Sequence, residues 1–326
     1  MSAMLSQPTL RIVCLDLTTP LPRAIPLPVG HSAVGLGNFD GVHVAHSALL
    51  REVVHRKEAS PLLHHAGVFC FWKPSSDYFS DAVQHLTPLR EKIRLFREAG
   101  LDFACFCDFQ SIRHVSKQDF LKLLDDTLSC RLAVCGFNYR FGNGGSGTAD
   151  DLTDYFAAHL GAVVIPAVEQ NGIPVSSSRI RALLLDGHPD VAAEMLGRPY
   201  AVETTVRRGK QLGRTWGFPT INQYFLPDAL VPRHGVYAVR CHTPHGCFPG
   251  VANVGVHPTV DNEARLNCET YILGLDADLY DQRIRTEFLK FVRPEKKFES
   301  PEQLRSAIRS DVEWVARYAA NHPIFQ

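Results

Sequence analysis

Gly213, Gly217, Thr220, Asn222 and Glu269 are the residues of this chain whose types and spacing could do chemistry. The run Gly213-Arg-Thr-Trp-Gly-Phe-Pro-Thr-Ile-Asn222 is rich in glycine, which lets backbone N–H groups approach a polyphosphate, with Gly209 as a third glycine just upstream. Thr220 and Asn222 offer two hard oxygens to a magnesium ion. Downstream, Gly255-Val-His-Pro-Thr259 leads to Glu269 in a strand-like run, where a carboxylate could take the proton from an attacking hydroxyl. Together these residues predict phosphoryl transfer in the second half of the chain. The order Gly-Phe-Pro-Thr-x-Asn is not the Gly-x4-Gly-Lys-Ser/Thr of a P-loop, so the phosphates must be held differently. A glycine-rich loop by itself is an ordinary barrel turn. Pro219, Thr220, Asn222 and Glu269 make it more than that.

A second set of reactive side chains lies near the start. Gly37-Asn-Phe-Asp-Gly-Val-His-Val-Ala-His46 follows an apolar strand-like run and leads into a helix-like one. That setting is the carboxyl end of a parallel sheet, where open α/β sheets bind ligands. Phe39, Asp40 and Gly41 form the turn, and the helix after it aims unsatisfied N–H groups and a partial positive charge at an anion. His43 and His46 are three apart and could both face a triphosphate; on a surface loop without this setting they would mean little. Gly136-Phe-Asn-Tyr-Arg-Phe-Gly142 also follows an apolar run, so Asn138 belongs at a strand end within reach of a nucleotide, a bland glycine-rich loop being the other reading. Ser176, Ser177, Ser178 and Arg181 gather hydroxyls and a guanidinium at a helix start, which suits phosphate, although plain serine capping explains the serines as well.

These residues need a scaffold in two parts. At 326 residues the chain exceeds what one core comfortably supports, and its texture changes near Gly197-Arg-Pro199. After a proline-punctuated lead-in with a short strand at 10–15, apolar runs at 33–36, 67–71, 103–107, 132–135 and 162–165 alternate with helix-like stretches at 46–58, 88–99, 117–128 and 150–159. This is the pattern of a parallel α/β sheet. Helices at 177–185 and 190–196 close it. Beyond them, strand-favouring runs at 202–206, 235–241, 250–256, 268–275 and 285–291 predict a small antiparallel β-barrel. Ser300 as N-cap, Pro301 and Gln303 start a last helix, with Leu304, Ile308, Val312 and Val315 as its apolar stripe. The domains expected are 1–197, a nucleotide-binding domain, and 198–326, the barrel with its helix.

Composition bounds the partners. The 34 basic and 34 acidic side chains cancel, so no long-range steering toward nucleic acid is expected. Nine cysteines, odd in number and without a Cys-x-x-Cys pair, argue against a zinc or redox motif and for a reduced cytoplasm. Cys105 and Cys107 would share one core-facing side of a strand. No apolar stretch approaches the ~20 residues of a membrane span, and no basic-then-apolar leader opens the chain. The expectation is a soluble cytoplasmic protein acting on small molecules, with no membrane partner and with homo-oligomerisation left open.

Gly217-Phe-Pro-Thr-Ile-Asn222, Gly235-Val-Tyr-Ala238, Pro258-Thr259, Glu269 and Leu279-Tyr280 resemble, in order and spacing, the riboflavin kinase module. Gly37-Asn-Phe-Asp-Gly-Val-His43, Gly136-Phe-Asn-Tyr-Arg-Phe-Gly142 and Val175-Ser-Ser-Ser-Arg-Ile-Arg181 resemble the FMN adenylyltransferase module that bacteria fuse to it. The whole is similar to the bifunctional riboflavin kinase/FAD synthetases, whose fold is a nucleotidyltransferase-like parallel-sheet domain followed by a small barrel. The resemblance implies that the barrel converts riboflavin and ATP to FMN and ADP with Mg2+, and that the first domain converts FMN and ATP to FAD and pyrophosphate. It assigns Thr220 and Asn222 to magnesium and phosphate, Glu269 to the base that activates the ribityl hydroxyl, and Gly209, Gly213 and Gly217 to a loop over ATP. It assigns His43 and His46 to charge on the α-phosphate, as in His-x-Gly-His nucleotidyltransferases, and Phe39, Asp40, Gly41, Asn138, Ser176, Ser177, Ser178 and Arg181 to nucleotide or phosphate. Arg293 would help hold the flavin or a covering loop, a solvated arginine being the plain alternative.

The chain departs from the family pattern at several positions. Ala45 stands at the glycine of His-x-Gly-His, and Trp72-Lys-Pro-Ser-Ser76 stands where the family has an acidic residue followed by Pro-His-Pro. Ser178 replaces a threonine and Ile221 an alanine. Three readings follow: both activities; a kinase whose first domain is weak or regulatory because of Trp72 and Ala45; or a non-catalytic flavin or nucleotide sensor, against which Thr220, Asn222 and Glu269 speak.

Overall fold

Short β-branched and aromatic runs flanked by helix-favouring stretches build the first half of the computed structural model, which describes residues 10–15, 29–72, 84–209, 213, 217–258, 264–322 and 324. The elements there are β1 (Arg11–Leu15), β2 (His31–Leu36), α1 (Val44–Ala59), β3 (Leu63–Phe71), α2 (Leu89–Glu98), β4 (Phe103–Cys107), α3 (Phe109–Ile112), α4 (Lys117–Leu128), β5 (Cys130–Gly136), α5 (Ala149–Phe156), β6 (Ala162–Ile165), and a two-residue hairpin, β7 (Glu169–Gln170) and β8 (Ile173–Pro174). Six strands form one sheet in the order β1-β4-β3-β2-β5-β6, every pair parallel. From β2 the chain steps outward to β3 and β4, then returns to the other side of β2 with β5. The reversal places a crevice outside the carboxyl ends of β2 and β5, the position at which such sheets bind ligands.

Parallel strands are covered on both faces, and β4 shows it. Its Phe103, Cys105 and Cys107 join one apolar layer with Val34, Leu36, Phe69 and Phe120, while Ala104 and Phe106 join the other with Leu49, Val53 and Phe96. Cys105 and Cys107 therefore share a core-facing side, as expected.

The contacts of the chain part into two units, 1–176 and 177–326. The division falls a pair of short helices before the expected boundary at 197. Those helices, α6 (Ser177–Leu185) and α7 (Pro189–Leu196), belong with the second half, where Lys290 holds Asp190 at 2.6 Å and Arg233 donates its backbone N–H to the Leu184 carbonyl.

The second unit continues with β9 (Tyr200–Thr205), β10 (Thr220–Tyr224), β11 (Gly235–Thr243), β12 (Gly246–Pro258), β13 (Ala264–Ile272), β14 (Arg283–Pro294) and α8 (Pro301–Asn321). The strands form one antiparallel sheet in the order β10-β13-β12-β11-β14-β9. It curls into a half-barrel, and a backbone bridge between Arg207, just past β9, and Asn222 on β10 draws its edges together. Gln223, fully buried, braces the curl from inside: its Nε2 donates to the carbonyls of Ile284 (2.7 Å) and Thr204 (3.3 Å), and its Oε1 accepts from Thr286 (2.6 Å). On β14, burial works to raise the Glu287 carboxyl, but His242, Arg240 and Arg285 hold it below the ordinary carboxylate range. Ser300 caps α8 as the sequence predicts, although Gln303 returns its side-chain bond to the N–H of Glu299 rather than of Ser300. Asp311 is buried within the apolar stripe of α8 and takes Arg293 of β14 through both carboxylate oxygens.

Strand β10 is absent from the sequence reading, which places Thr220 and Asn222 in a glycine-rich loop. Pro219 and the neighbouring glycines read as turn, and an inward Gln223 between outward polar residues erases the apolar alternation of a strand. A proline at the start of an edge strand is nonetheless tolerated, because no ladder bond is lost there.

Seven of the nine cysteines are buried, leaving Cys14 and Cys247 exposed. Burial pushes the thiols of Cys70, Cys241 and Cys268 up to about 12 and that of Cys135 up to about 11. Thiolate is the reactive form. Titration with a chromogenic disulfide at pH 8 should therefore report two fast thiols in native protein and nine in denaturant. The sign for stability follows: the unfolded chain loses thiol protons above its reference value of 9.0 while the folded chain keeps them to about 12. Denaturation midpoints should hold below pH 9 and fall as pH rises through that window.

Candidate active sites

Side chains of a strand alternate between its faces, and the pairing of β10 with β13 sets Asn222 opposite Glu269 and Tyr224 opposite Asn267. Thr220, Asn222, Asn267 and Glu269 therefore share the face turned away from the barrel core. Thr220 Oγ1 donates to Glu269 Oε1 at 2.6 Å, and Asn267 Nδ2 donates to Asn222 Oδ1 at 2.8 Å, two parallel diagonals across the same strand pair. On the far side of β13, β12 sets Asn253 opposite Glu269, extending the polar row over three strands. Asn253 and Asn267 are absent from the sequence reading; their even spacing from the other site residues along each strand is the signal that could have found them.

The glycines of the loop stand where the loop meets this face. A Cβ on Gly209 would lie 2.7 Å from Asn222 Nδ2, so the backbone there rests directly on the amide. Gly217 has φ +83°, a conformation costly to other residues, and Phe218 donates its N–H to the Gly213 carbonyl at 2.9 Å. Arg214, Thr215 and Trp216 lie outside the described residues, as does Thr259. Next to Thr220 opens a cavity of about 420 Å³ whose lining includes Arg208, Pro219, Asp276, Leu279 and Tyr280, with the Arg208 guanidinium 4.5 Å above the Tyr280 ring. Thr220 thus belongs to both the cavity and the Glu269 pair. Arg293, expected beside flavin, is committed to Asp311 and fixes α8 to the sheet.

In the first unit the loop after β2 carries the histidines. Phe39 and Val42, neither glycine, adopt φ +50° and +38°, and Gly41 lies between them at +87°. Such strain persists only where surroundings enforce it. Phe39 is fully buried between His46 (ring centroids 5.2 Å) and Phe96 (5.5 Å). The Asp40 carboxylate, buried, accepts the backbone N–H groups of Leu86 (3.3 Å) and Thr87 (3.1 Å), and buried Lys92 donates to the Asn38 carbonyl at 3.0 Å. Both hold the loop in shape. His43 is the N-cap of α1: its Nδ1 accepts the His46 N–H at 3.3 Å, which makes its Nε2 the protonated nitrogen of the neutral ring. The two imidazoles stack face to face, centroids 3.7 Å apart. Across the switch point, Asn138 is exposed in the turn after β5, beside an exposed Phe137. Ser176 ends this unit, and Ser177, Ser178 and Arg181 lie in α6 of the other.

Comparison with known proteins agrees with both halves. The riboflavin kinase family model matches residues 196–319, and the FAD synthetase family model matches residues 29–179. A bifunctional riboflavin kinase/FMN adenylyltransferase of Escherichia coli K12 is 34% identical over 286 residues, covering 85% of this chain and 89% of that protein. One from Pseudomonas fluorescens is 33% identical, covering 85% and 89%, and one from Listeria monocytogenes 30% identical, covering 86% and 90%. The chain belongs to the bifunctional riboflavin kinase/FMN adenylyltransferase family. The crystal structure of a macrolide-efflux protein from Streptococcus pneumoniae also matches, with a TM-score of 0.81 and 28% identity over 94% of this chain and 98% of that one. Among the described residues no helix is long and apolar enough to cross a membrane.

Two of the departures from the family pattern, Ala45 and Trp72, lie in the first unit. Ala45 lies in the first turn of α1 with an ordinary negative φ, so the helix gains the better helix former and needs no glycine freedom there. Trp72 follows β3, stacks on Phe106 (centroids 4.7 Å, planes 17° apart) and donates its backbone N–H to the Cys107 carbonyl. Lys73, Pro74, Ser75 and Ser76 lie outside the described residues.

Gly209→Ala should displace the Asn222 amide and destabilise the second unit by about 1–3 kcal/mol, an overpacking cost. Gly217→Ala, which meets no neighbouring atom, should lose only the ~1–2 kcal/mol of the left-handed backbone. Nucleotide affinity measured beside chemical denaturation separates the two, since Gly209→Ala alone should weaken binding. Equal affinities would detach Gly209 from the site.

Proposed function

We propose that the second unit phosphorylates riboflavin at the Thr220–Asn222–Glu269 centre and that the loops after β2 and β5 carry the adenylylation of FMN. The observation that carries the kinase assignment is the 2.6 Å pair of Thr220 and Glu269 at the wall of the 420 Å³ cavity. One hydroxyl, one amide oxygen and one carboxylate on one face suit a hard cation, and so small a set suits magnesium, which keeps waters and binds chiefly through substrate phosphates. Magnesium, when bound with ATP, neutralises charge on the phosphates.

ATP occupies the cavity, with its terminal phosphate at Thr220 and Asn222 under the glycine loop. Glu269 accepts the proton of the ribityl hydroxyl, whose oxygen attacks the γ-phosphorus as the bond to the bridging oxygen of ADP breaks. Placing the base one hydrogen bond from a phosphate-binding hydroxyl brings the two reacting groups into one small volume, which is where most of the acceleration in phosphoryl transfer arises.

Adenylyl transfer needs no base, because the phosphate of FMN is already anionic. Its oxygen attacks the α-phosphorus of ATP and pyrophosphate leaves, with the His43 and His46 rings and the N-terminus of α1 stabilising the charge. Asn138 stands at the crevice from β5; Ser176, Ser177, Ser178 and Arg181 are assigned to phosphate by the family motif alone. The helical Ala45 leaves the His43–His46 pair in place and favours a working adenylyltransferase, whereas Trp72, packed on Phe106 where the family has an acidic residue, speaks for the weaker reading. On this reading the functional modules meet near residue 197, with α6 following the phosphate site by sequence.

Glu269→Gln keeps the side-chain size and removes the base. FMN formation from riboflavin and MgATP should fall about 10²–10⁴-fold, while calorimetry shows Mg–ADP binding retained. Turnover near wild type would remove Glu269 from the role. Supplied with FMN and MgATP, the wild-type protein should form FAD, and His43→Ala should depress that step with riboflavin phosphorylation untouched. FMN accumulating without FAD in a kinase-active sample would decide for a degenerate first domain.

A further inference from the structure

Asn267 precedes Glu269 by two residues on β13, so both side chains lie on the same face. It is 2% exposed. Its Nδ2 donates to Asn222 Oδ1, while its own Oδ1 is buried with no hydrogen-bond partner among the described residues. A buried amide oxygen without a donor is a net burden on stability, and an apolar side chain of similar volume would lift it. Stability is therefore a poor account of why an amide stands here. Its effect on Asn222 is a better one: Asn222 is held between the Gly209 backbone on one side and the Asn267 donor on the other. A donor at that point dictates which end of the Asn222 amide is oxygen.

We propose that Asn267 is a positioning residue of the kinase centre, fixing the Asn222 amide in the orientation that receives the magnesium–phosphate end of ATP. It acts through Asn222 and touches no reacting atom. The proposal rests on the reading of Thr220, Asn222 and Glu269 as a riboflavin kinase centre. Groups of this kind behind a metal-binding side chain typically matter by 10–100-fold in affinity or activity.

The test compares wild type, Asn267→Leu, Asn222→Ala and the double variant in three measurements: thermal midpoint without nucleotide, Mg–ADP affinity by calorimetry, and steady-state riboflavin phosphorylation. Asn267→Leu removes the orphaned oxygen but also the donor to Asn222 Oδ1, so its midpoint should stay near that of the wild type, yet it should bind Mg–ADP about 10-fold more weakly and raise KM for MgATP about as much. A residue with a purely structural role would show the reverse, a lower midpoint with unchanged constants. The double variant should bind no worse than Asn222→Ala alone, since nothing remains for Asn267 to orient. Should the leucine variant fail to fold, Asn267→Ser serves, its hydroxyl being too short to reach Asn222, with the same loss of Mg–ADP affinity expected. Wild-type affinity in a folded Asn267 variant, or additive losses in the double variant, would overturn the proposal alone. Absence of FMN formation by the wild-type protein would overturn the kinase reading and the proposal with it.

Discussion

The alternation of side chains along β10 is the constraint on which the second unit turns. Consecutive residues must face opposite ways. Asn222 looks out at Glu269 and Asn267, while Gln223 looks in and is tied to the carbonyls of Thr204 and Ile284 and the hydroxyl of Thr286. The inner bonds lock the register of an edge strand that has little apolar surface to hold it. A slip by one residue would turn Asn222 into the barrel and Gln223 out of it, breaking the brace and scattering the candidate site at once. The same five residues thus carry the brace and the centre it holds.

The first unit solves a different problem. Its candidate residues lie on a loop, which needs stiffening from outside, and the stiffening comes from buried polar groups that grip the backbone. Asp40 receives two backbone N–H groups and Lys92 holds the Asn38 carbonyl, so a loop with two non-glycine residues at positive φ keeps one shape. Phe39 fills the space behind His46. The loop that presents the histidines is therefore closer in rigidity to the sheet than to an ordinary connection.

Much of this was legible in the sequence. The parallel strands around 103–107 and 162–165 and the helix at 117–128 appear where hydrophobic period and length place them, the first because a strand buried on both faces is written as a continuous apolar run. The histidine loop is recognisable by its setting between strand and helix. β10 was not legible, since its outward residues are largely polar and its inward Gln223 serves the brace, leaving no apolar alternation to read. Asp40 shows the other limit: a carboxylate in a glycine-containing turn looks like a ligand in one dimension, and only the fold reveals that it accepts backbone N–H groups from 86–87. Arg293 is a similar case, its partner Asp311 lying in a different element. Long-range pairing of polar side chains leaves no local pattern.

The pairing of Arg293 with Asp311 also bears on how the chain is made. A ribosome releases the parallel sheet first, and every strand of that sheet is complete long before the last helix exists, so the first unit has all it needs to fold during synthesis. The half-barrel does not. Until α8 emerges, Arg293 lacks its carboxylate partner at the end of β14, and the apolar stripe that covers the sheet is missing. Completion of the second unit thereby waits on α8, so a chain that stops short of this helix would leave β14 with an unmatched charge and the sheet without its cover.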